Sequence, residues 1–163
     1  MSKEAVGRLL LVEDEHVLRG LVHQFLALEN YEVEPVADGR EAIDAYAARG
    51  PYDLILMDLN LPHVPGVEAC RQIRRMNRHQ PVLVCSAAIL ESHTEALHAL
   101  GVYDSLMKPY HPAELATAVR RILAEGPGAA PSAPTWRDHR AHAGPGPKAA
   151  AHPSALSELR GFE

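Results

Sequence analysis

The feature that most constrains the fold is an alternation of five short apolar runs with five stretches of helical spacing. The runs are "RLLLVED" (8–14), "YEVEPVAD" (31–38), "DLILMD" (53–58), "PVLVCSA" (81–87) and "DSLMK" (104–108). Most are apolar enough for burial on both faces, as strands inside a parallel sheet are. Apolar residues then return at the helical period. The first stripe is Val17, Leu18, Leu21, Val22, Phe25 and Leu26, and the second is Ala42, Ile43, Tyr46 and Ala47. Val67, Cys70 and Ile73 form a third, Ala96, Leu97 and Leu100 a fourth, and Leu115, Val119, Ile122 and Leu123 a fifth. Gly39, Gly50, Gly66, Gly101 and Gly126 punctuate the joins, and Pro112 stands where the first turn of the last helix belongs. Parallel neighbours need a helix-length crossover. Five βα units in series therefore predict an α/β fold, a doubly wound (βα)5 sandwich around a parallel five-stranded sheet.

The pattern stops after Glu125. Residues 126–163 hold 11 Pro or Gly in 38 positions and show no apolar period, which reads as a flexible, disordered Pro/Ala/Gly-rich tail with no output domain. Its apolar anchors are Trp136 and the group Leu156, Leu159 and Phe162; His139, His142 and His152 are spaced too loosely for a metal site. Residues 1–125 form the folded domain and carry 12 Lys/Arg against 18 Asp/Glu. With a whole-chain charge of −5 there is no basic surplus to suggest direct binding of nucleic acid. The N-terminus lacks a signal-peptide pattern, and no window approaches the roughly 18 apolar residues of a membrane span. The expected location is cytoplasmic. Cys70 and Cys85 lie apart among apolar residues and read as reduced core thiols.

In open parallel sheets, ligands bind outside the carboxyl ends of the strands. Here the first strand ends in Glu13 and Asp14, the third in Asp58, the fourth in Ser86 and the fifth in Lys108. Carboxylates crowded at one rim repel each other unless a cation compensates. Mg2+ suits such a place, because it takes one or two carboxylates plus backbone, water or phosphate oxygens. Asp14 and Asp58 supply the carboxylates, and a carbonyl in the turn after Asp58 supplies a third oxygen. An ammonium and a hydroxyl beside the metal suit a phosphoryl group, with a carboxylate oxygen of Asp58 as nucleophile. Taken singly, an Asp after an apolar strand is more often a turn former or helix cap, and Ser86 is simply a cap for the next helix. Packing alone does not require the full set.

The stretches "LLLVEDE", "DLILMDLNLPHVPG", "VLVCSA" and "SLMKPY" resemble, in order and spacing, the receiver domain of two-component response regulators. The resemblance spans residues 8–125 and implies a flavodoxin-like receiver fold. It also implies that Asp58 accepts a phosphoryl group from a phosphohistidine of a sensor histidine kinase or histidine phosphotransfer protein. By position, Asp14 and Asp58 are similar to direct ligands of Mg2+ (or Mn2+), the Asn60 backbone carbonyl to a third, and Glu13 to one acting through water. Ser86 resembles the hydroxyl residue that bonds the phosphoryl group on activation, and Lys108 the lysine that pairs with it, followed by a cis bond to Pro109. Pro62 and Gly66 match the family's turn, where glycine permits a tight backbone approach or a positive φ.

Two departures stand out. Ser105 occupies the place of the family's usual Tyr or Phe, so the aromatic part of its activation relay is missing, and neither Tyr103 nor Tyr110 sits at an equivalent position. Ala88, two residues past Ser86, is too small to shield a phosphoryl group; the resemblance implies that it and Asn60 stand at the two positions that often set phosphoryl lifetime in the family. The expectation is a single-domain regulator, not an enzyme beyond its own phosphorylation and dephosphorylation, that signals to an unknown downstream protein. It has no membrane partner, and homodimer formation stays open. The rival from another class is a haloacid-dehalogenase-like phosphatase, which places its nucleophile after the first strand and an Asp where this chain has Asn60. A third reading is a receiver acting as a constitutive binding module.

Overall fold

The computed structural model describes residues 4–125. Ten elements follow in strict alternation: β1 (Arg8–Val12), α1 (His16–Leu28), β2 (Glu32–Val36), α2 (Gly39–Arg49), β3 (Leu54–Met57), α3 (Gly66–Met76), β4 (Val82–Ser86), α4 (Glu91–Ala99), β5 (Asp104–Met107) and α5 (Pro112–Glu125). All strand pairs are parallel and the sheet order is β2-β1-β3-β4-β5. The expected (βα)5 sandwich is therefore present. The tail of residues 126–163, with Trp136, Leu156, Leu159, Phe162 and its histidines, lies outside the described residues.

The strands stop one or two residues short of the apolar runs. Glu13 and Asp58 still donate backbone N–H bonds to neighbouring strands, to the Val36 and Val12 carbonyls at 3.1 Å each. Ladder pairing then ends, which frees the following residues to turn outward at the rim.

Alternation of side chains along the strands splits the core into two layers. Leu10, Val12, Ile55, Met57, Val82 and Val84 face α2, α3 and α4. Leu9, Leu11, Leu54, Leu56, Leu83 and Cys85 face α1 and α5. The helical stripes pack as read for Ile43 and Tyr46, for Cys70 and Ile73, and for Leu115, Val119 and Ile122.

Helix α1 departs from its stripe. It buries Val22 and Leu26, but Val17 and Leu21 are 64% and 59% exposed. Six apolar residues make too wide an arc for one helix-sheet contact, so the outer part meets solvent. In α2, Ala45 rather than Ala47 is buried.

Two glycines have steric reasons. Gly101, just past α4, has φ +74°, the left-handed conformation that ends helices. Gly66 opens α3 against the backbone of the loop after β3: a Cβ there would lie 2.0 Å from the Asp58 carbonyl oxygen and 2.7 Å from Leu59 Cα. Close approach, not positive φ, is its role.

Candidate functional site: an acidic rim closed by a lysine

The strand order reverses direction between β1 and β3, and at such switch points the connecting loops part and leave a crevice. Glu13 and Asp14 follow β1, and Asp58 follows β3, so the three acids flank that crevice. One carboxylate oxygen from each lies within 4.8 Å of the others. Glu13 and Asp58 are only 4% and 5% exposed, whereas Asp14 is open to solvent.

Lys108 closes the group. Its Nζ donates to Glu13 Oε2 at 2.5 Å and to Asp58 Oδ2 at 2.7 Å. Burial pushes the Glu13 carboxyl above its ordinary range, against the lowering influence of Lys108. For Lys108, burial works against the charged form, but the bonds to Asp58 and Glu13 outweigh it and the net shift is upward. The cation is thus firmly held, and it binds both buried acids rather than Asp58 alone.

Asp58 is oriented from both sides. Its Oδ1 accepts the Asn60 backbone N–H at 3.0 Å while Oδ2 faces Lys108. Asn60 itself is exposed in the loop. The peptide bond between Lys108 and Pro109 is cis, as the resemblance implied, and a second cis bond joins Gly50 to Pro51.

Ser86 sits at the end of β4 with no solvent exposure. Its hydroxyl donates to the Ala88 carbonyl at 3.3 Å. It does not cap α4, which starts at Glu91 with Leu90 at its N-cap, and the hydroxyl makes no bond to Lys108 or Asp58. Ser105 lies half-buried in β5. Tyr103 is exposed and packs its ring 5.0 Å from that of His98.

Two residues near the rim were given no role by the sequence. Arg19, in the first turn and a half of α1, donates to the carbonyl oxygens of Glu13 at 2.8 Å and Asp14 at 3.1 Å, pinning the acid-bearing loop. Tyr110 packs beside the α1 and α5 layer, where burial raises its phenol and the charges of Glu13 and Asp58 add to the rise. An arginine five residues past an acid pair and a tyrosine after Lys-Pro take on these roles only once the loops are in place.

Clustered hard oxygen donors, with the Glu13 carboxyl pushed up by burial, suit a small divalent cation, and the residues present fit Mg2+. A parallel 2-1-3-4-5 sheet with an acid cluster at its switch point and a lysine from the last strand defines a signalling receiver. The chain belongs to the response regulator receiver domain family, whose sequence profile matches residues 9–120. Domains of this family bind Mg2+ at such an acidic pocket and interact with histidine kinases or phosphotransfer proteins.

Among curated relatives, the transcriptional regulatory protein ResD of Bacillus subtilis is 35% identical over 123 residues, covering 76% of this chain and 50% of ResD. The response regulator ArlR of Staphylococcus saprophyticus is 36% identical over 120 residues, covering 74% and 54%. The chain spans about half the length of these relatives. Among solved structures, the receiver domain of the sensor histidine kinase PA1611 from Pseudomonas aeruginosa, with a magnesium ion coordinated in its active site cleft, matches at TM-score 0.66 and 36% identity. That match covers 74% of this chain and 99% of that one. The chemotaxis response regulator CheY4 of Vibrio cholerae matches at TM-score 0.64 and 30% identity, covering 73% and 98%. Membership of this family sets aside the haloacid-dehalogenase-like alternative.

Proposed function

We propose that this domain is a phospho-accepting switch. Asp58 takes a phosphoryl group from a phosphohistidine on a sensor kinase or phosphotransfer protein, and the change alters protein contacts downstream. The observation that carries this reading is the buried Asp58 carboxylate, held between the Asn60 N–H and the Lys108 ammonium at the mouth of an acid cluster.

Asp14 and Asp58, with the Asn60 carbonyl and with Glu13 through a water, would hold Mg2+ or Mn2+, which when bound neutralises charge on the phosphoryl oxygens. An Asp58 oxygen forms the new bond to phosphorus as the phosphorus–nitrogen bond of the donor breaks. The electron pair of that bond leaves with the imidazole. Lys108 shifts its contact from Asp58 Oδ2 to an incoming phosphoryl oxygen and keeps its bond to Glu13, so it travels little. The Ser86 hydroxyl, leaving the Ala88 carbonyl, is the second donor within the same rim.

A docking face lies alongside. Val17, Leu21 and Leu28 are 64%, 59% and 86% exposed. At 3.6 residues per turn they fall within about 40° of one another on α1. This apolar stripe starts beside the acid loop and suits a helix of the phosphodonor. The domain turns over no other substrate, its chemistry being its own phosphorylation and dephosphorylation. The reading carries a cytoplasmic location, since the donor's phosphohistidine is made from ATP.

The test is intact mass after incubation with Mg2+ and a small phosphodonor. Wild type should gain one phosphoryl group and Asp58→Asn none. Equal modification of both, or steady turnover of unrelated phosphate esters, overturns the proposal.

A further inference from the structure

The domain is acidic, yet four of its twelve Lys/Arg residues fall between positions 71 and 78. The C-terminal turn of α3, the loop after it and the C-terminal end of α4 gather Arg71, Arg74, Arg75 and Arg78 with His79 and His98 around one open groove of about 510 Å3. These loops precede β4 and β5, so the groove lies at the opposite rim of the sheet from Asp58. It is separate from the phosphoacceptor site.

Part of this charge has an ordinary explanation, because cations at helix C-termini offset the helix dipole. Glu68 pairs with Arg71, and two helix ends contribute roughly half a negative charge each. Four guanidinium groups exceed that compensation by about two charges. Among the described residues, no carboxylate lines the groove. Arg75 and Arg78 are exposed and make no ion pair among the described residues.

Arg74 is the anchor. It is half-buried, donates to the Arg78 and Gly101 carbonyls, and keeps a buried Nε with no partner among the described residues. Those bonds tie the ends of α3 and α4 together and fix the groove's floor. With Arg74 committed to the floor, the exposed Arg75 and Arg78 present the planar guanidinium forks suited to a carboxylate, which a fork meets with two parallel bonds.

We propose that this arginine groove docks an acidic segment of a partner protein. A long polyanion is disfavoured, because the 18 acids of the domain repel whatever extends past the groove. A short run of Asp and Glu confines its charge to the groove. Its location leaves the acid rim and the α1 stripe free, so a partner held here stays bound while phosphoryl transfer proceeds at the far end.

The test uses the full chain and a fluorescein-labelled ten-residue Glu/Asp-rich peptide, read by anisotropy. Arg75→Ala/Arg78→Ala and Arg75→Glu/Arg78→Glu are compared with wild type, with melting temperature and Asp58 phosphorylation by a small phosphodonor as folding controls. The expected result is saturable, salt-sensitive binding that weakens at least tenfold in the alanine pair and further in the glutamate pair, with both controls unchanged. Equal affinity for wild type and the folded alanine pair overturns the proposal. So does tighter binding of a labelled single-stranded oligonucleotide of matched charge, which would make the groove a polynucleotide site.

Discussion

Gly66→Ala gives a sharp test of how the Asp58 loop is built. The added methyl would stand 2.0 Å from the Asp58 carbonyl oxygen and 2.9 Å from its carbonyl carbon. Ordinary contact begins near 3.4 Å, so the first gap must open by about 1.4 Å. The atoms in the way are backbone, so no rotamer change relieves them; either α3 or the Asp58 loop must move. Overpacking a tight site costs about 1–3 kcal/mol, and a clash against backbone belongs at the top of that range. With an unfolding entropy of about 2.1 cal/mol/K per residue over roughly 120 residues, 3 kcal/mol corresponds to a fall in Tm of about 12 °C. Gly20→Ala is the internal control. Gly20 lies exposed in α1 with nothing within 4 Å of its added carbon, so there alanine should stabilise by about 0.5–1 kcal/mol. Calorimetry on the two variants and wild type decides the matter. If both substitutions shift Tm in the same direction, or if Gly66→Ala loses less than about 1 kcal/mol, the loop yields freely and the packing argument is wrong.

Further outcomes follow from the site and the core. Lys108→Met leaves two nearly buried carboxylates without a counter-charge, so urea denaturation in metal-free buffer should show a loss of about 3 kcal/mol or more; a loss below about 1 kcal/mol would show that the lysine does not hold the rim together. Leu21→Asp should leave phosphorylation by a small phosphodonor unchanged and slow transfer from a phosphohistidine protein at least tenfold, a difference of about 1.4 kcal/mol; equal slowing with both donors would remove α1 as the docking face. Burial pushes the Cys70 and Cys85 thiols up to about 12, so iodoacetamide at pH 8 should label neither in the native protein and both after unfolding. Ala88→Glu and Ala88→Arg should change the decay rate of the phosphorylated protein, followed by mass; identical decay would mean that water reaches the phosphoryl group from elsewhere.

Element order and type were legible because buried parallel strands and amphipathic helices carry different periods, and each recurs five times. The strand ends were legible too, since Glu13, Asp58, Ser86 and Lys108 each interrupt an apolar run with a polar group. Periodicity marks apolar arcs but does not say which half of an arc meets the sheet, and so the first stripe takes in Val17 and Leu21, which face out. Pairing was likewise hidden. That Lys108 grips Glu13 as well as Asp58, and that the Ser86 hydroxyl turns to Ala88, depends on distances between side chains up to 95 residues apart. The arginines at 71–78 were visible as letters, but only the fold brings them together with His98 across α4.

The triad of Glu13, Asp58 and Lys108 joins the first, third and fifth strands, with the lysine 95 and 50 residues from its partners. A chain with the last strand undocked lacks the ammonium, and one with the first strand undocked lacks the acid pair. On the proposed function, competence to be phosphorylated therefore reports that the first, third and fifth strands have all docked. Under that proposal a copy with any of these three strands out of place takes no message, so the molecules carrying the signal are filtered for native ones without any separate inspection step.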